Sequence, residues 1–331
     1  MITLITSGDY VNAEMKAEFG QLPPAMLPLG TWRLIDHQVQ ALKEQGQDRQ
    51  IFLSLPESYA LGEATLSDLE ANGVKLISVP DGLSLGQSVL HCIEQGQFSG
   101  PCSILHGDTL LDVPSSELTN THLIGDRVGG YAWGHAVLDN ERFTGATPLS
   151  QGEENDGPVL VGYFSFSCAQ EFAKALLQVE CNFLEALGRH ASEVHVQARW
   201  CPDWSDFGHL QTYYRSRAAF ASSRAFNNLQ ISDSIVQKWS SDSDKINAES
   251  DWYSNLPARL HPYTARLIDA GATETGWQYS TEYEHLPTLQ ELFIFGRLDH
   301  VTWDEILGAC VQCLEAFADT DVADAPQDAA L

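Results

Sequence analysis

Residues 2–6 read ITLIT, 34–46 LIDHQVQALKEQG, 50–55 QIFLSL, 66–73 LSDLEANG, 75–80 KLISVP, 84–96 SLGQSVLHCIEQG and 102–108 CSILHGD. Short β-branched apolar runs alternate there with segments whose apolar residues recur at helical spacing. This βαβαβαβ rhythm predicts an α/β fold with a doubly wound, mostly parallel sheet. Ligands of such sheets sit outside the carboxyl ends of the strands, so the loops after ITLIT and after CSILHG are the first places to look for a site.

From about residue 127 the rhythm changes. GGYAWGHAVLD (129–139) and PVLVGYFSFS (158–167) read as antiparallel strands, followed by helices across EFAKALLQV (171–179) and NFLEALGRH (182–190), together resembling an inserted, substrate-facing sheet. A second shift follows the helical stretch HLQTYYRSRAAFASSRA (209–225). FNNLQIS (226–232) and SIVQKWS (234–240) read as strands around a polar turn at 232–234, DKINAESDWYSNL (244–256) as a helix, the region around 270–284 as two strands, and LQELFIFG (289–296) and TWDEILGACVQCLEAFA (302–318) as helices. The expected organisation is a domain over 1–225, a small α+β domain over 226–318, and a loose acidic tail over 319–331, DTDVADAPQDAAL.

A chain of 331 residues exceeds the usual ~100–200 of one domain. Its 44% hydrophobic and 19% charged residues are ordinary for a globular protein and far from the signature of a disordered chain, so the chain should fold. The 45 acidic against 18 basic residues leave a net charge of -27. That field repels polyanions and argues against nucleic-acid binding or attachment to anionic membranes. A phosphorylated small substrate stays compatible with it, because a metal and a few local donors overcome the mean field.

Seven scattered cysteines suit buried thiols in a reducing compartment rather than a disulfide framework. Cys310 and Cys313 have C-x-x-C spacing, but within the apolar helical run ILGACVQCLEAF core packing is the expectation rather than zinc binding. The opening MITLITSGDY has no basic leader region, and no apolar run approaches the ~20 residues that span a bilayer, so a cytoplasmic protein without membrane insertion is expected.

The segment SGDYVNAEMKAEFGQLPPAMLPLG (7–30) joins the first strand to the first long helix. A loop of this kind can present backbone N–H groups to phosphates; an ordinary βα connection is the alternative. Gly8 and Gly86 would permit close backbone approach of a ligand or could be plain turn residues. Asp108 follows the strand CSIL, where a strand end would project it into the cleft or leave it capping a turn.

LPPAMLPLGTWRLIDHQVQAL (22–42) resembles the P-K-x-L-x-P signature and following helix of the sugar-1-phosphate nucleotidyltransferase family. SLGQS (84–88) resembles its L-G-T motif, HGDTLL (106–111) its G-D motif and WSDFGH (204–209) its W-x-D-x-G motif, in family order over about 225 residues. The resemblance implies a nucleoside triphosphate and a phosphorylated small-molecule acceptor as partners. It also implies Mg2+ or Mn2+ held by Asp108 and Asp206, with Asp203 competing for the second place, and nucleotide contacts from Ser7, Gly8, Gly86, Ser88 and Gly107. Nucleotidyl transfer places negative charge on an α-phosphate and a leaving pyrophosphate, which explains two carboxylates around a hard cation.

Two departures stand out. The loop carries Lys16 and no arginine, and Ala25 stands after Pro24 where the family has lysine, so Lys16 or Arg33 would have to supply the catalytic cation from elsewhere in space.

Residues 226–318 resemble the N-terminal lobe of aminoglycoside- and choline-kinase-like phosphotransferases. SIVQKW would put Lys238 on a strand and DKINAESDWYSNLP would put Glu249 on the next helix, matching the lysine–glutamate pair that positions nucleotide phosphates in that superfamily. Lys245 competes with Lys238, and an exposed lysine with a helix-surface glutamate is the structural alternative. Residues 282–285 resemble the hinge. No G-x-G-x-x-G lies between the first two strands, and no H-x-D…N or D-x-G follows the hinge, so kinase activity is not expected.

The pairing resembles bacterial capsule and surface-polysaccharide biosynthesis proteins, which implies formation of an activated sugar or related building block and leaves room for a homo-oligomer. The competing expectation is a catalytically lapsed nucleotide-binding or scaffold subunit. A glycosyltransferase would call for a D-x-D, and Asp319-Thr-Asp321, which has that spacing, falls in the acidic tail.

Overall fold

The computed structural model describes residues 1–45, 49–112, 119–150, 157–224, 229–232, 234–274 and 276–320. The tail from 321 onward, including Asp321, and positions 226–228 and 233 of the expected strand pair lie outside the described residues. The chain divides into two compact units, Met1–Tyr213 with Gln290–Arg297, and Tyr214–Leu289 with Leu298–Leu331.

The first unit begins β1 (Ile2–Thr6), α1 (Ala13–Phe19), β2 (Pro28–Leu29), β3 (Trp32–Arg33), α2 (Leu34–Glu44), β4 (Gln50–Pro56), α3 (Glu63–Ala71), β5 (Val74–Val79), α4 (Leu85–Gln95) and β6 (Cys102–His106). It continues with β7 (Thr109–Leu111), β8 (Thr121–Gly125), β9 (Trp133–Asp139), β10 (Arg142–Leu149), β11 (Val159–Phe166), α5 (Ala169–Gln178), α6 (Phe183–Glu193), β12 (Val196–Trp200) and β13 (Trp204–Asp206). Nine of these strands form one sheet in the order β5-β4-β1-β6-β11-β8-β12-β10-β9.

Its first four strands are parallel, as the opening rhythm predicts, because each strand-helix-strand step returns the chain to the same edge. Beyond β6 the sheet turns mixed. β11 runs antiparallel to β6 and β8, and β10 runs antiparallel to β12 and β9. The expectation of a mostly parallel sheet therefore holds for one half. The presumed inserted sheet is no separate layer: β9 and β10 extend the same sheet as an edge pair.

Every residue of β11, VLVGYFSF, is buried, and its register shifts around Gly162, whose φ is +89°. A Cβ there would stand 2.7 Å from Thr109 Oγ1 and 3.1 Å from His106 Cβ, so glycine lets the HGDT turn lie directly on the sheet.

The second unit contains most of α7 (Leu210–Arg224), then β14 (Leu229–Ser232), β15 (Ile235–Ser240), α8 (Ser243–Ser254), β16 (Leu267–Thr273) and β17 (Gly276–Glu282), followed after α9 (Leu289–Phe295) by α10 (His300–Ala318). Its sheet is antiparallel in the order β14-β15-β17-β16, with α8 connecting β15 to β16.

The expectation of core packing for Cys310 and Cys313 is not met. Both thiols are half-exposed, α10 buries no residue, and its Val301, Leu307, Val311 and Leu314 are each more than half exposed. Apolar residues around a whole helix cannot by themselves say which face will be covered. Among the described residues no helix is long and apolar enough to cross a membrane.

Burial lowers the pKa of several histidines in the first unit, His122 and His106 among them. His122 on β8 packs edge-on against Phe143, Phe164 and Phe166 at 4.8, 5.2 and 5.5 Å between centroids, and burial lowers its pKa to about 3. Burial likewise lowers His106 to about 4, against the opposing charge of Asp206. Between pH 6.5 and these values the unfolded chain binds protons that the folded chain refuses, so stability falls as pH drops below 6.5. Replacing His122 with Leu is expected to remove between about 1 and 2 kcal/mol of the loss that urea titrations register between pH 6.5 and pH 5. An unchanged pH slope in the variant would refute the assignment.

Candidate active site

The site is built where β6 ends. The turn His106-Gly107-Asp108 leads into β7, and β7 pairs antiparallel with β13 so that Thr109 faces Asp206. Phe207 N–H donates to the Asp108 carbonyl at 2.8 Å, closing the ribbon beyond the last ladder pair. Residues nearly a hundred positions apart thereby become neighbours. A Cβ built on Gly208 would lie 2.5 Å from Asp108 Oδ2 and 3.4 Å from Asp206 Oδ1, so both carboxylates face one point.

Asp206 is buried and heavily supported. The Gly208 N–H donates to its Oδ1 at 3.3 Å, His209 Nδ1 lies 2.9 Å from its Oδ2, and the Thr212 hydroxyl donates to the same oxygen. Asp203, the competing candidate, is exposed, so it is Asp206 that joins Asp108.

Burial, reinforced by the charge of Asp206, pushes Asp108 up to about 6. Two carboxylates that repel each other across a shared point form a donor set suited to a hard divalent cation, which would relieve the repulsion. Among the described residues no group of three or more His, Cys, Asp or Glu side chains could hold a metal. A cation here would therefore complete its shell from substrate oxygens and water, the arrangement typical of magnesium.

His209 stacks on Tyr131 with centroids 4.0 Å apart. Burial disfavours its charged form, but the hydrogen bond and charge of Asp206, aided by Asp108, outweigh this and raise its pKa.

The loop after β1 is held tightly. Ser7 is buried, its N–H donating to Ser54 Oγ at 2.8 Å and its Oγ accepting from the Ala25 N–H at 3.0 Å. Gly107 crosses beneath it, where a Cβ would come within 2.6 Å of the Thr6 carbonyl and 3.0 Å of Ser7 Cβ. A Cβ on Gly8 would stand 2.7 Å from Ser88 Oγ, a buried hydroxyl without a hydrogen-bond partner among the described residues. Asn12 caps α1 through Met15 N–H and donates Nδ2 to the Gly208 carbonyl at 3.0 Å, tying the loop to the carboxylate pair.

Ser7, Gly8, Ser88, Gly107, Asp108 and Asp206 thus belong to one region linked by direct contacts. Gly86 does not join them: what approaches it is the protein's own backbone, a Cβ there lying 2.0 Å from the Cys181 carbonyl oxygen. Arg33 is engaged elsewhere, bidentate to Asp36 at 2.9 and 3.1 Å and 3.8 Å from Asp68. Lys16 is exposed on α1.

In the second unit Lys238 Nζ lies 2.5 Å from Glu249 Oε2, which also accepts from the Tyr279 hydroxyl at 2.9 Å. Partial burial works against the Glu249 carboxylate, yet these two bonds and the Lys238 charge lower its pKa; Lys245 acts on it through charge alone.

Several site residues carry no motif signal. Gln38, fully buried on α2, donates Nε2 to the carbonyls of His106 and Thr109 at 2.9 and 2.8 Å, gripping the turn that bears Asp108. It looks in sequence like any polar residue of a helix. His209 and Thr212 lie in or just past the WSDFGH segment, whose spacing hints at them without assigning a role.

No protein-family model and no curated protein matches the chain. Solved structures do. The nucleoside-diphosphate-sugar pyrophosphorylase from Vibrio cholerae RC9 matches with a TM-score of 0.52 and 12% identity, over 66% of this chain and 99% of that one. The UDP-glucose pyrophosphorylase from Acinetobacter baumannii matches at 0.50 with 15% identity, over 68% and 95%. At such identities the likeness establishes the fold, a mixed α/β fold shared with sugar nucleotidyltransferases.

Gln38→Leu removes both bonds to the turn and is expected to destabilise the first unit by about 1–3 kcal/mol. Thermal melts would reveal it, and an unchanged midpoint would show that the turn holds itself.

Proposed function

We propose that the first unit catalyses metal-dependent nucleotidyl transfer from a nucleoside triphosphate to a sugar phosphate or related phosphorylated alcohol, releasing pyrophosphate. The observation that carries this reading is the convergence of Asp108 and Asp206 on one point beside the loop after β1. The fold shared with nucleotidyltransferases supports it.

Asp108 and Asp206 would hold Mg2+ or Mn2+, which when bound supplies charge neutralisation at phosphate oxygens. The chain's own residues do the rest. Asn12 fixes the loop against the carboxylates, Gln38 fixes the turn that bears Asp108, and Thr212 and His209 orient Asp206. His209 lies 2.9 Å from Asp206 Oδ2 through Nδ1, and that carboxylate raises its pKa. Ser88 offers a hydroxyl beside the loop for a nucleotide.

We read the second unit as a kinase-like N-terminal lobe, on the following support. Its strand-helix order puts the lysine strand and the glutamate helix side by side, and Lys238 bonds Glu249. We assign it no phosphotransfer of its own. A product of this kind would serve assembly of a surface polysaccharide such as capsule or lipopolysaccharide.

One observation favours a second reading, a nucleotide-binding subunit without turnover. Ala25 stands buried with its N–H bound to Ser7, and Arg33 is neutralised by Asp36, so neither supplies a cation at the pair.

A pyrophosphate-release assay across the NTPs with sugar phosphates and phosphoalditols, with magnesium or manganese, separates the two. Release that requires one NTP–acceptor pair and falls at least 100-fold in Asp108→Ala is the expected outcome. Nucleotide binding by calorimetry with no release across the panel would establish the second reading instead.

A further inference from the structure

The charge balance around the loop raises a problem that one distant residue solves. The chain carries a net charge of -27, and the loop region adds Asp9, Glu14, Asp108 and Asp206 of its own. A triphosphate lying there meets carboxylates from several sides, and without local cations the field opposes it. Arg33 is compensated by Asp36 and Asp68, and His209 by Asp206.

Arg297 is different. It closes the segment Gln290–Arg297, which belongs to the first unit although it lies far along the chain from the rest of that unit. Its backbone is docked on the end of α1. The Arg297 N–H donates to the Phe19 carbonyl at 2.7 Å, and Gly20 forms a parallel bridge with Arg297. Gly20 has a φ of +80°, and any Cβ there would fall 2.1 Å from the Arg297 carbonyl oxygen. Only glycine combines that backbone angle with that approach.

The side chain continues toward the loop. Its guanidinium lies 6.0 Å from the ring centroid of Tyr59, just beyond the carboxyl end of β4. Tyr59 meets Tyr10 edge to face at 6.3 Å, and the Tyr10 hydroxyl shares a 2.7 Å hydrogen bond with Ser58 Oγ. Tyr10 is itself a loop residue, between Gly8 and Asn12.

Arg297, exposed, makes no ion pair with a carboxylate among the described residues. Its partner Tyr59 does not neutralise it either. Burial raises the phenol pKa, although the charge and hydrogen bond of Arg297 and the charge of Arg33 pull the other way, so the ring stays neutral. The guanidinium spends one hydrogen bond on the Tyr59 phenol, and its remaining N–H donors are available to phosphate oxygens.

We propose that Arg297 binds the polyphosphate of the nucleoside triphosphate at the loop after β1, supplied by a segment that the chain returns to this unit and that Gly20 admits. The proposal rests on the nucleotide-binding reading given above.

The test is calorimetry on the full chain with magnesium, comparing each NTP with its monophosphate, for the wild type, Arg297→Ala, Arg297→Lys and Gly20→Val. Arg297→Ala should weaken triphosphate binding roughly tenfold or more while changing monophosphate binding less than about twofold. Arg297→Lys should recover part of the loss. Gly20→Val, which cannot seat the segment, should copy Arg297→Ala.

Equal weakening of both ligands, unrelieved in Arg297→Lys, would assign Arg297 a purely structural role and overturn the proposal, as would unchanged triphosphate binding in Arg297→Ala. A wild type that binds no nucleotide at all would overturn the underlying reading together with the proposal, a result visible before any variant is measured. Because alanine retains the backbone contacts to Phe19 and Gly20, loss of docking does not confound the alanine variant.

Discussion

The ribbon between β7 and β13 is the contact on which the site depends. Three ladder pairs and the Phe207 bond to the Asp108 carbonyl bring together two carboxylates that the chain separates by the whole antiparallel half of the sheet. Everything around the ribbon serves to hold it. Gln38 grips the turn, Gly162 lets that turn lie directly on β11, and Gly208 leaves the space between the carboxylates open. Like charges do not converge in a partly buried place without cost. Their convergence makes Asp108 harder to ionise, and a bound cation would relieve that repulsion.

The loop after β1 shows the same economy. Its serine and glycines are consumed by the fold as much as offered to a ligand: Ser7 fixes Ala25, Gly8 packs against Ser88, and Gly107 passes under Thr6. A loop so closely packed changes shape little, and a rigid anion site loses little order on binding. What it lacks is positive charge, and in a chain this acidic any cation near it must come from a side chain left without a carboxylate partner.

Much of this was legible in advance. The alternation of β-branched runs and amphipathic helices through residue 108 reports a parallel half-sheet because burial on both faces demands such runs. The resemblance of the G-D segment pointed to Asp108, and that of the W-x-D-x-G segment to Asp206 with Asp203 competing. The resemblance of residues 226–318 to kinase-like N-terminal lobes brought Lys238 and Glu249 to notice, with Lys245 competing, before the 2.5 Å contact of Lys238 with Glu249 was visible. Less legible were residues whose role depends on a distant partner. Gln38 acts through two carbonyls some seventy positions away, and Arg297 docks on Phe19 and Gly20 and meets Tyr59, all more than two hundred positions away. The apolar helix α10 misled in the other direction, since composition reports what could be buried and not what is.

Local sequence determined the elements, the parallel half of the sheet and the types of residue available for chemistry, because periodicity and strand-end position follow from backbone geometry over a few neighbours. Tertiary structure alone decided which of two nearby aspartates faces Asp108, that Gly86 meets the protein's own backbone, that Arg33 is already neutralised, and that Arg297 returns to dock on Gly20 and meet Tyr59. Those outcomes depend on long-range register and on which charges end up within a few ångströms of one another, and no pattern of neighbours along the chain encodes such distances.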